Sequence, residues 1–218
     1  MLAIFDLDGT LVDSRRDLAD ASNEMLASYG ALPLSEDAVA AMVGEGAGTL
    51  VARLLAARSL DVPHSEALAR YLAAYDRRLL GHTRPYDGIP EALDDIARFA
   101  SLAVLTNKPT AATTRVLEGL DLGRRFQSVI GGDSPHGTKP APGGLHAIMA
   151  AAGAGRHDTV LVGDSATDVH TARAGHVHPC VARYGFGYLT MPPGVLDGTE
   201  LVVDRPADLP GVLASLRP

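Results

Sequence analysis

The sequence is poor in several features that would assign it to other classes of protein. It has a single cysteine, Cys180, so an internal disulfide is excluded and a reducing compartment, the cytoplasm, is expected. No apolar run approaches the ~18 residues of a membrane span, and the N-terminus lacks the basic region of a signal peptide. Acidic residues outnumber basic ones by 26 to 19, which argues against a nucleic-acid surface. No Gly-x-Gly-x-x-Gly follows the first apolar run, so a dinucleotide site is not supported.

The start of the chain carries the most informative pattern. Residues 2–5 are apolar and predict a buried strand, and two carboxylates, Asp6 and Asp8, follow where that strand should end. Alone, Asp-x-Asp-Gly is most often a surface turn, but a buried strand directly before it favours a site. Two like charges held together raise each other's pKa unless a cation lies between them. The oxygen ligands suit a hard divalent ion such as Mg²⁺.

The rest of the chain divides into two kinds of pattern. Residues 15–80 show only helical periodicity, with helix starts predicted at Ser14, Ser35 and about Thr49. After residue 88, short apolar strands alternate with helices. The sequence therefore predicts an α/β fold, a Rossmann-like parallel sheet sandwiched by helices, with an inserted all-α domain. The expected boundaries are residues 1–14 and 83–218 for the sheet domain and 15–82 for the helical one.

Polar residues follow three of the predicted strands. Asp6, Thr106 and Asp164 each come at a strand end, and the carboxyl ends of parallel strands share one edge of the sheet. Lys139 lies in a Gly/Pro-rich loop nearby, and Asp168 opens a helix. An acidic cluster, a hydroxyl, a lysine and a metal suit phosphoryl transfer, in which one carboxylate attacks phosphorus and another protonates the leaving oxygen.

Four segments resemble the motifs of the haloacid dehalogenase superfamily of phosphatases, and the likeness spans nearly the whole chain. They are residues 5–11 (FDLDGTL), 105–108 (LTNK), 139–140 (KP) and 162–165 (VGDS) with Asp168. The resemblance implies that Asp6 is the nucleophile and Asp8 the general acid and base. The second aspartate of the first motif is typical of the superfamily's phosphatases and not of its dehalogenases.

The same resemblance implies a set of ligands. Mg²⁺ would be bound by Asp6, the carbonyl of Asp8 and Asp164, with Asp168 and Ser165 supporting them from behind. Thr106, Asn107 and Lys139 would contact the phosphoryl group, and Lys139 would balance its charge.

The helical insert resembles the superfamily's small cap, which closes over the site and selects the leaving group. Its residues 43–47, with Gly44, and Arg53 are similar to the cap segment of phosphoglycolate phosphatases, and residues 85–90 to their return hinge. Gly44 and Arg53 are thus expected to bind substrate, although such glycines more often form a plain turn and such an arginine a solvated helix face. The implied activity is Mg²⁺-dependent hydrolysis of a phosphomonoester, 2-phosphoglycolate, through an aspartyl-phosphate.

Other readings of these motifs stay open. The expected partner is a small phosphorylated metabolite, with neither nucleic acid nor membrane, and the protein would be a monomer or homodimer. A sugar-phosphate phosphatase, a β-phosphoglucomutase-like mutase or a pyrophosphatase would carry similar motifs, although the few basic residues of the cap disfavour a mutase. A receiver-type signalling module also uses an acidic metal site, a hydroxyl and a lysine, but it is about half as long as this chain.

Overall fold

The computed structural model describes residues 1–216 and is built on a six-stranded parallel sheet. The described residues form six strands in this sheet and two in a separate ribbon, β2 and β3. In chain order the strands are β1 (Leu2–Phe5), β2 (Val12–Asp13), β3 (Arg84–Pro85), β4 (Ser101–Leu105), β5 (Ser128–Ile130), β6 (Thr159–Gly163), β7 (His178–Ala182) and β8 (Leu201–Val203). The main sheet has the order β5-β4-β1-β6-β7-β8, and every pairing in it is parallel. β1 therefore lies between two neighbours, as its uninterrupted apolar sequence predicted.

Helices fill the intervals between the strands. They are α1 (Arg15–Ala27), α2 (Glu36–Ala40), α3 (Gly46–Ala57), α4 (His64–Asp76), α5 (Ile89–Ile96), α6 (Thr110–Gly119), α7 (Gly143–Ala152), α8 (Ala166–Gly175) and α9 (Leu209–Ala214). Among residues 1–216, no helix combines the length and the apolar character that crossing a bilayer requires. The predicted α/β class and the alternation of strands with helices after residue 88 are confirmed.

The two faces of the sheet are covered by different helices. Alternate residues of β1 point to opposite sides, so Ala3 and Phe5 join a core with α5, α6 and α9, while Leu2 and Ile4 join one with α7 and α8. Burial on both faces removes the strand from water and fixes its register between β4 and β6. The residues that follow β1 are therefore held by a rigid frame.

Helices α1 to α4 form the helical insert (residues 15–82), and the chain enters and leaves it side by side. β2 and β3 pair antiparallel, with Val12 opposite Pro85 and Asp13 opposite Arg84, a ribbon that the sequence did not predict. The buried carboxylate of Asp17 accepts hydrogen bonds from the backbone N–H groups of His82 and Thr83 and from the Thr83 hydroxyl, at 2.7–3.0 Å. Its burial is tolerated because both oxygens accept hydrogen bonds. These bonds also join the segment that enters the insert to the segment that leaves it.

The predicted helix starts at Ser14 and Ser35 are confirmed, and the one at about Thr49 is wrong. Ser14 precedes α1 but makes no capping hydrogen bond, because its hydroxyl donates to Asp8 at 2.6 Å. α3 begins at Gly46, three residues before the predicted Thr49, with Glu45 at the N-cap position. Ser35 caps α2 as expected, since its Oγ accepts from the Ala38 N–H at 3.2 Å.

Candidate active site

Neighbouring strands deliver the site residues to one edge of the sheet. Asp6 follows β1, and its N–H still donates to the Val162 carbonyl at 2.9 Å, while Thr106 follows β4 and donates to the Ile130 carbonyl at 3.0 Å. Asp164 follows β6. Extended backbone hydrogen bonding thus continues up to the functional residues, which fixes their direction. The predicted convergence of the strand ends is confirmed.

Lys139 lies among carboxylates at the centre of this edge. Its Nζ is 2.8 Å from Asp6 Oδ1 and 2.6 Å from Asp168 Oδ1, and its side chain is 2% exposed. Burial alone would lower the pKa of Lys139, but Asp168 and Asp6 outweigh it and hold the pKa above its usual value. The ammonium therefore stays charged and links two acidic groups.

The acidic residues are crowded beyond what this lysine neutralises. Asp6, Asp164 and Asp168 each have an oxygen within 4.8 Å of the others. Burial raises the pKa of Asp6 to about 6, against the pull of Lys139. Burial, with the charges of Asp168 and Asp6, also raises the pKa of Asp164 well above its usual value. An additional cation would relieve both shifts.

The donor atoms that remain fit a hard divalent metal. Both oxygens of Asp168 are engaged, one by Lys139 and the other by the Ser165 backbone N–H and hydroxyl, at 3.1 and 2.6 Å. Oδ1 of Asp6, although near the ammonium, is buried without a hydrogen bond of good geometry. Asp6 and Asp164 therefore have carboxylate oxygens available to a metal, while Asp168 orients Lys139 and caps α8. An all-oxygen donor set suits an ion such as Mg²⁺.

Two glycines allow the backbone to approach Asp164. Gly9 has a φ of +88°, and a Cβ there would lie 1.9 Å from Asp164 Oδ2. Gly187 donates its N–H to the same oxygen at 2.7 Å, and a Cβ on it would lie 2.8 Å away. A larger side chain at either position would displace the carboxylate. Gly187 was not predicted from the sequence as a site residue.

Asp8 has partners that sequence reasoning did not identify. Lys108 donates to both of its oxygens at 2.9 Å, Ser14 donates to one at 2.6 Å, and the Lys108 ammonium also donates to the Tyr75 hydroxyl. Lys108 is 5% exposed, and Tyr75 comes from α4 of the helical insert. Lys108 lies in the motif segment 105–108, but the sequence did not indicate that it contacts Asp8. Asp8 is thus oriented from both the sheet and the insert.

Asn107 connects three loops. Its side-chain N–H group donates to the carbonyls of Gly44 and Lys139, both at 3.0 Å, and its Oδ1 accepts from the Lys139 N–H at 2.8 Å. The amide is therefore already engaged with backbone. Its expected contact with a phosphoryl group stays a prediction.

A cavity of about 380 Å³ lies between the sheet edge and the helical insert. Asp6, Asp8, Thr106 and Lys108 line it on the sheet side, and Gly44 lines it on the insert side. The cavity is of the size that holds a small ligand.

Arg53 does not line this cavity. Its guanidinium donates to the Met42 carbonyl at 2.8 Å and to Glu45, so it braces the loop that contains Gly44. Direct contact of Arg53 with substrate stays a prediction.

Comparison with known proteins agrees with this arrangement. The family model of haloacid dehalogenase-like hydrolases matches residues 3–182, so the chain belongs to that family of hydrolases. Within it the chain is a phosphatase that acts on a small phosphorylated substrate, and the receiver-type alternative is wrong.

The similar proteins share one description. A phosphoglycolate phosphatase of Rhodospirillum rubrum is 44% identical over 84% of this chain and 79% of its own length, and one of Agrobacterium fabrum is 34% identical over 99% and 93%. A solved structure described as a predicted phosphoglycolate phosphatase, from Haemophilus somnus 129PT, superposes with a TM-score of 0.90 at 27% identity, covering 97% of this chain and 96% of that one.

Proposed function

We propose that the protein hydrolyses 2-phosphoglycolate to glycolate and phosphate with Mg²⁺, through an aspartyl-phosphate on Asp6. The observation that carries the proposal is the position of the Asp6 carboxylate, at the cavity wall and beside Lys139 and Asp164. A carboxylate so placed has the access a nucleophile needs, and its neighbours offset the charge of a phosphoryl group.

The two aspartates divide the reaction. Asp6 forms a bond to phosphorus while the bond from phosphorus to the glycolate oxygen breaks, and Asp8 gives its proton to that oxygen. Asp8 then takes a proton from the water that attacks the aspartyl-phosphate, which releases phosphate and restores Asp6. Lys108 and Ser14 hold Asp8 in place for both steps, and Thr106, Asn107 and Lys139 contact the phosphoryl oxygens.

Asp6, Asp164 and the carbonyl of Asp8 would bind the Mg²⁺. The ion would polarise the phosphoryl oxygens and offset their charge. Asp168 and Ser165 would not bind the ion directly. Asp168 orients Lys139, and Ser165 donates hydrogen bonds that hold Asp168.

The helical insert acts as the cap, with residues 15–82 as its bounds and residues 1–14 and 83–218 as the catalytic domain. The paired crossings β2 and β3 and the Asp17 contacts support this division, since they gather both connections at one place. Gly44 and Tyr75 of the insert already contact Asn107 and Lys108, and a cap held in this position would exclude water from the cavity.

The choice of 2-phosphoglycolate has two supports. The relatives described above carry that substrate in their names. In addition, the first turn of α3 lines the cavity at Gly46 and Ala47 without a side-chain cap, and the amino end of a helix favours a carboxylate. Gly44 and Arg53 would shape this subsite, Arg53 by holding its loop.

A panel of phosphomonoesters tests the assignment. With Mg²⁺ present, kcat/KM is expected to be highest for 2-phosphoglycolate among it, sugar phosphates and pyrophosphate, and glucose 1-phosphate should not be isomerised. Asp6→Asn is the matched inactive control. A clear preference for a sugar phosphate or for pyrophosphate, or isomerisation, would transfer the assignment to the corresponding alternative.

We propose further that the enzyme works in the cytoplasm as a monomer or homodimer, without nucleic acid or membrane. The net charge of −7 and a single, buried cysteine support this. Light scattering on the purified protein measures its mass, and a larger assembly would contradict the proposal.

A further inference from the structure

One part of the cavity lining, the apolar wall, consists of aliphatic and aromatic side chains. Leu18, Val43, Leu50, Tyr71 and Leu72 line it from the helical insert, and Ala112 lines it from α6. Glycolate has two carbons and a charged end, and it offers little apolar surface to such a wall. The wall is therefore larger and less polar than the proposed substrate requires.

The cations of this cavity already have partners. Of the residues that the structure describes, Lys108 and Arg115 are the basic side chains that line it. Lys108 is held between both oxygens of Asp8 and the Tyr75 hydroxyl. Arg115 pairs with Asp76, which also lines the cavity. A negatively charged leaving group that extended along this wall, past the amino end of α3, would thus meet apolar surface and a neutralised ion pair, and it would lose hydration without compensation.

We propose that the site also accepts phosphomonoesters of apolar alcohols, with an alkyl chain or aryl ring packed on this wall. The inference rests on the proposed function for the phosphoryl transfer and goes beyond it in the class of leaving group. The chemistry is unchanged: Asp6 bonds to phosphorus, the bond to the alkyl or aryl oxygen breaks, and Asp8 protonates that oxygen. Each buried methylene adds affinity by leaving water.

Alkyl phosphonates test the wall without turnover, because they are not hydrolysed. With Mg²⁺-loaded protein, we expect the inhibition constant to fall about fourfold per methylene from methyl- to butylphosphonate. Phosphonates of the same length that end in a carboxylate should not gain affinity as the chain lengthens. An inhibition constant that stays level along the alkyl series, or a parallel gain in the carboxylate series, would overturn the proposal.

Two leucines of equal exposure provide a matched pair of variants. Leu72 is 39% and Leu80 38% exposed, so substitution of either should leave the fold intact. Of the two, Leu72 lines the cavity and Leu80 does not. Leu72→Asn is expected to weaken butylphosphonate about three- to tenfold and methylphosphonate less than about twofold. Leu80→Asn should change neither. Equal effects of the two variants on butylphosphonate would contradict the assigned wall.

The two proposals fail separately. Turnover of 2-phosphoglycolate together with a level alkyl series would overturn only the apolar wall. A graded alkyl series without preference for 2-phosphoglycolate would overturn only the proposed substrate.

Discussion

The proposed catalytic edge of the sheet, where the strands end at Asp6, Thr106 and Asp164, and the helical insert line the same cavity with opposite kinds of surface. The polar residues on the sheet side are buried and paired: Asp6, Thr106, Lys139, Asp164 and Asp168 are each at most 8% exposed. The insert contributes mainly aliphatic and aromatic groups. Charged groups of fixed direction need a rigid frame, which neighbouring parallel strands provide. Packing of a leaving group needs only apolar area, which the helices of the insert supply.

The two regions meet through a few polar contacts. Asn107 donates to Gly44, Lys108 donates to Tyr75, and Arg115 pairs with Asp76. The first two join the insert directly to residues that follow β4. Movement of the insert would therefore alter the surroundings of Lys108 and, through it, of Asp8.

Replacing Asp6, the proposed nucleophile, should have the largest effect and should act on the sheet side alone. Asp6→Asn is expected to lower kcat by at least about 10⁴-fold, since the amide cannot form the aspartyl-phosphate. Circular dichroism would show the fold retained. Activity near that of the parent protein would exclude Asp6 as the nucleophile.

Removing the proposed metal should also stop the reaction. EDTA is expected to abolish turnover, and Mg²⁺ to restore it and raise the free energy of unfolding by about 2.7 kcal/mol at 100 times its Kd. Thermal unfolding measures the second effect.

Asp164→Asn should lose this stabilisation. Asp20→Asn, in a more exposed group formed by Asp17, Asp20 and His82, should retain it. Stabilisation that disappears in the Asp20 variant instead would locate the metal in the insert.

Replacing the second aspartate should discriminate among leaving groups. Asp8→Asn is expected to slow hydrolysis of alkyl phosphates about 10²- to 10⁴-fold, because a poor leaving group needs the proton. Nitrophenyl phosphate, whose leaving group needs little protonation, should lose much less. An equal loss with all esters would argue against the acid role.

The contact between the two regions should have a smaller effect. Tyr75→Phe removes the hydroxyl that accepts from Lys108, and kcat is expected to fall up to about tenfold while KM changes little, since one hydrogen bond contributes ~1 kcal/mol. Tyr71 lies one turn away, and its ring stacks on that of Tyr75 with 5.9 Å between the centroids. Tyr71→Phe is therefore the control, and its kcat should stay near that of the parent protein. A matching fall in both variants would mean that the Tyr75 hydroxyl has no specific role in holding Lys108.

Arg53 should have the smallest effect. Arg53→Ala is expected to raise KM for 2-phosphoglycolate up to about fivefold with kcat unchanged, because a half-exposed ion pair holds the Gly44 loop only weakly. Arg77→Ala, which breaks a comparable pair with Glu24, should change neither constant. A large fall in kcat would indicate direct contact of Arg53 with substrate.

Much of the catalytic edge was predictable because it follows from local pattern. Asp6, Thr106 and Asp164 come directly after apolar strands, and parallel strands bring such positions together. The capping contacts of the helices were less predictable. The hydroxyl of Ser14 has two uses within its reach, capping α1 or bonding Asp8, and only the fold of residues 6–14 decides between them.

The sequence by itself determined the order of strands and helices along the chain, because a strand buried on both faces requires an uninterrupted apolar run. With that order it also determined the edge of the sheet where the acidic residues meet. The tertiary structure alone decided that Lys108 contacts Asp8 across 100 positions, that Tyr75 reaches Lys108, and that one wall of the cavity is apolar. These contacts depend on how α1 to α4 pack on one another and on the sheet. Periodicity shows that a helix has an apolar face, but it does not show what that face covers.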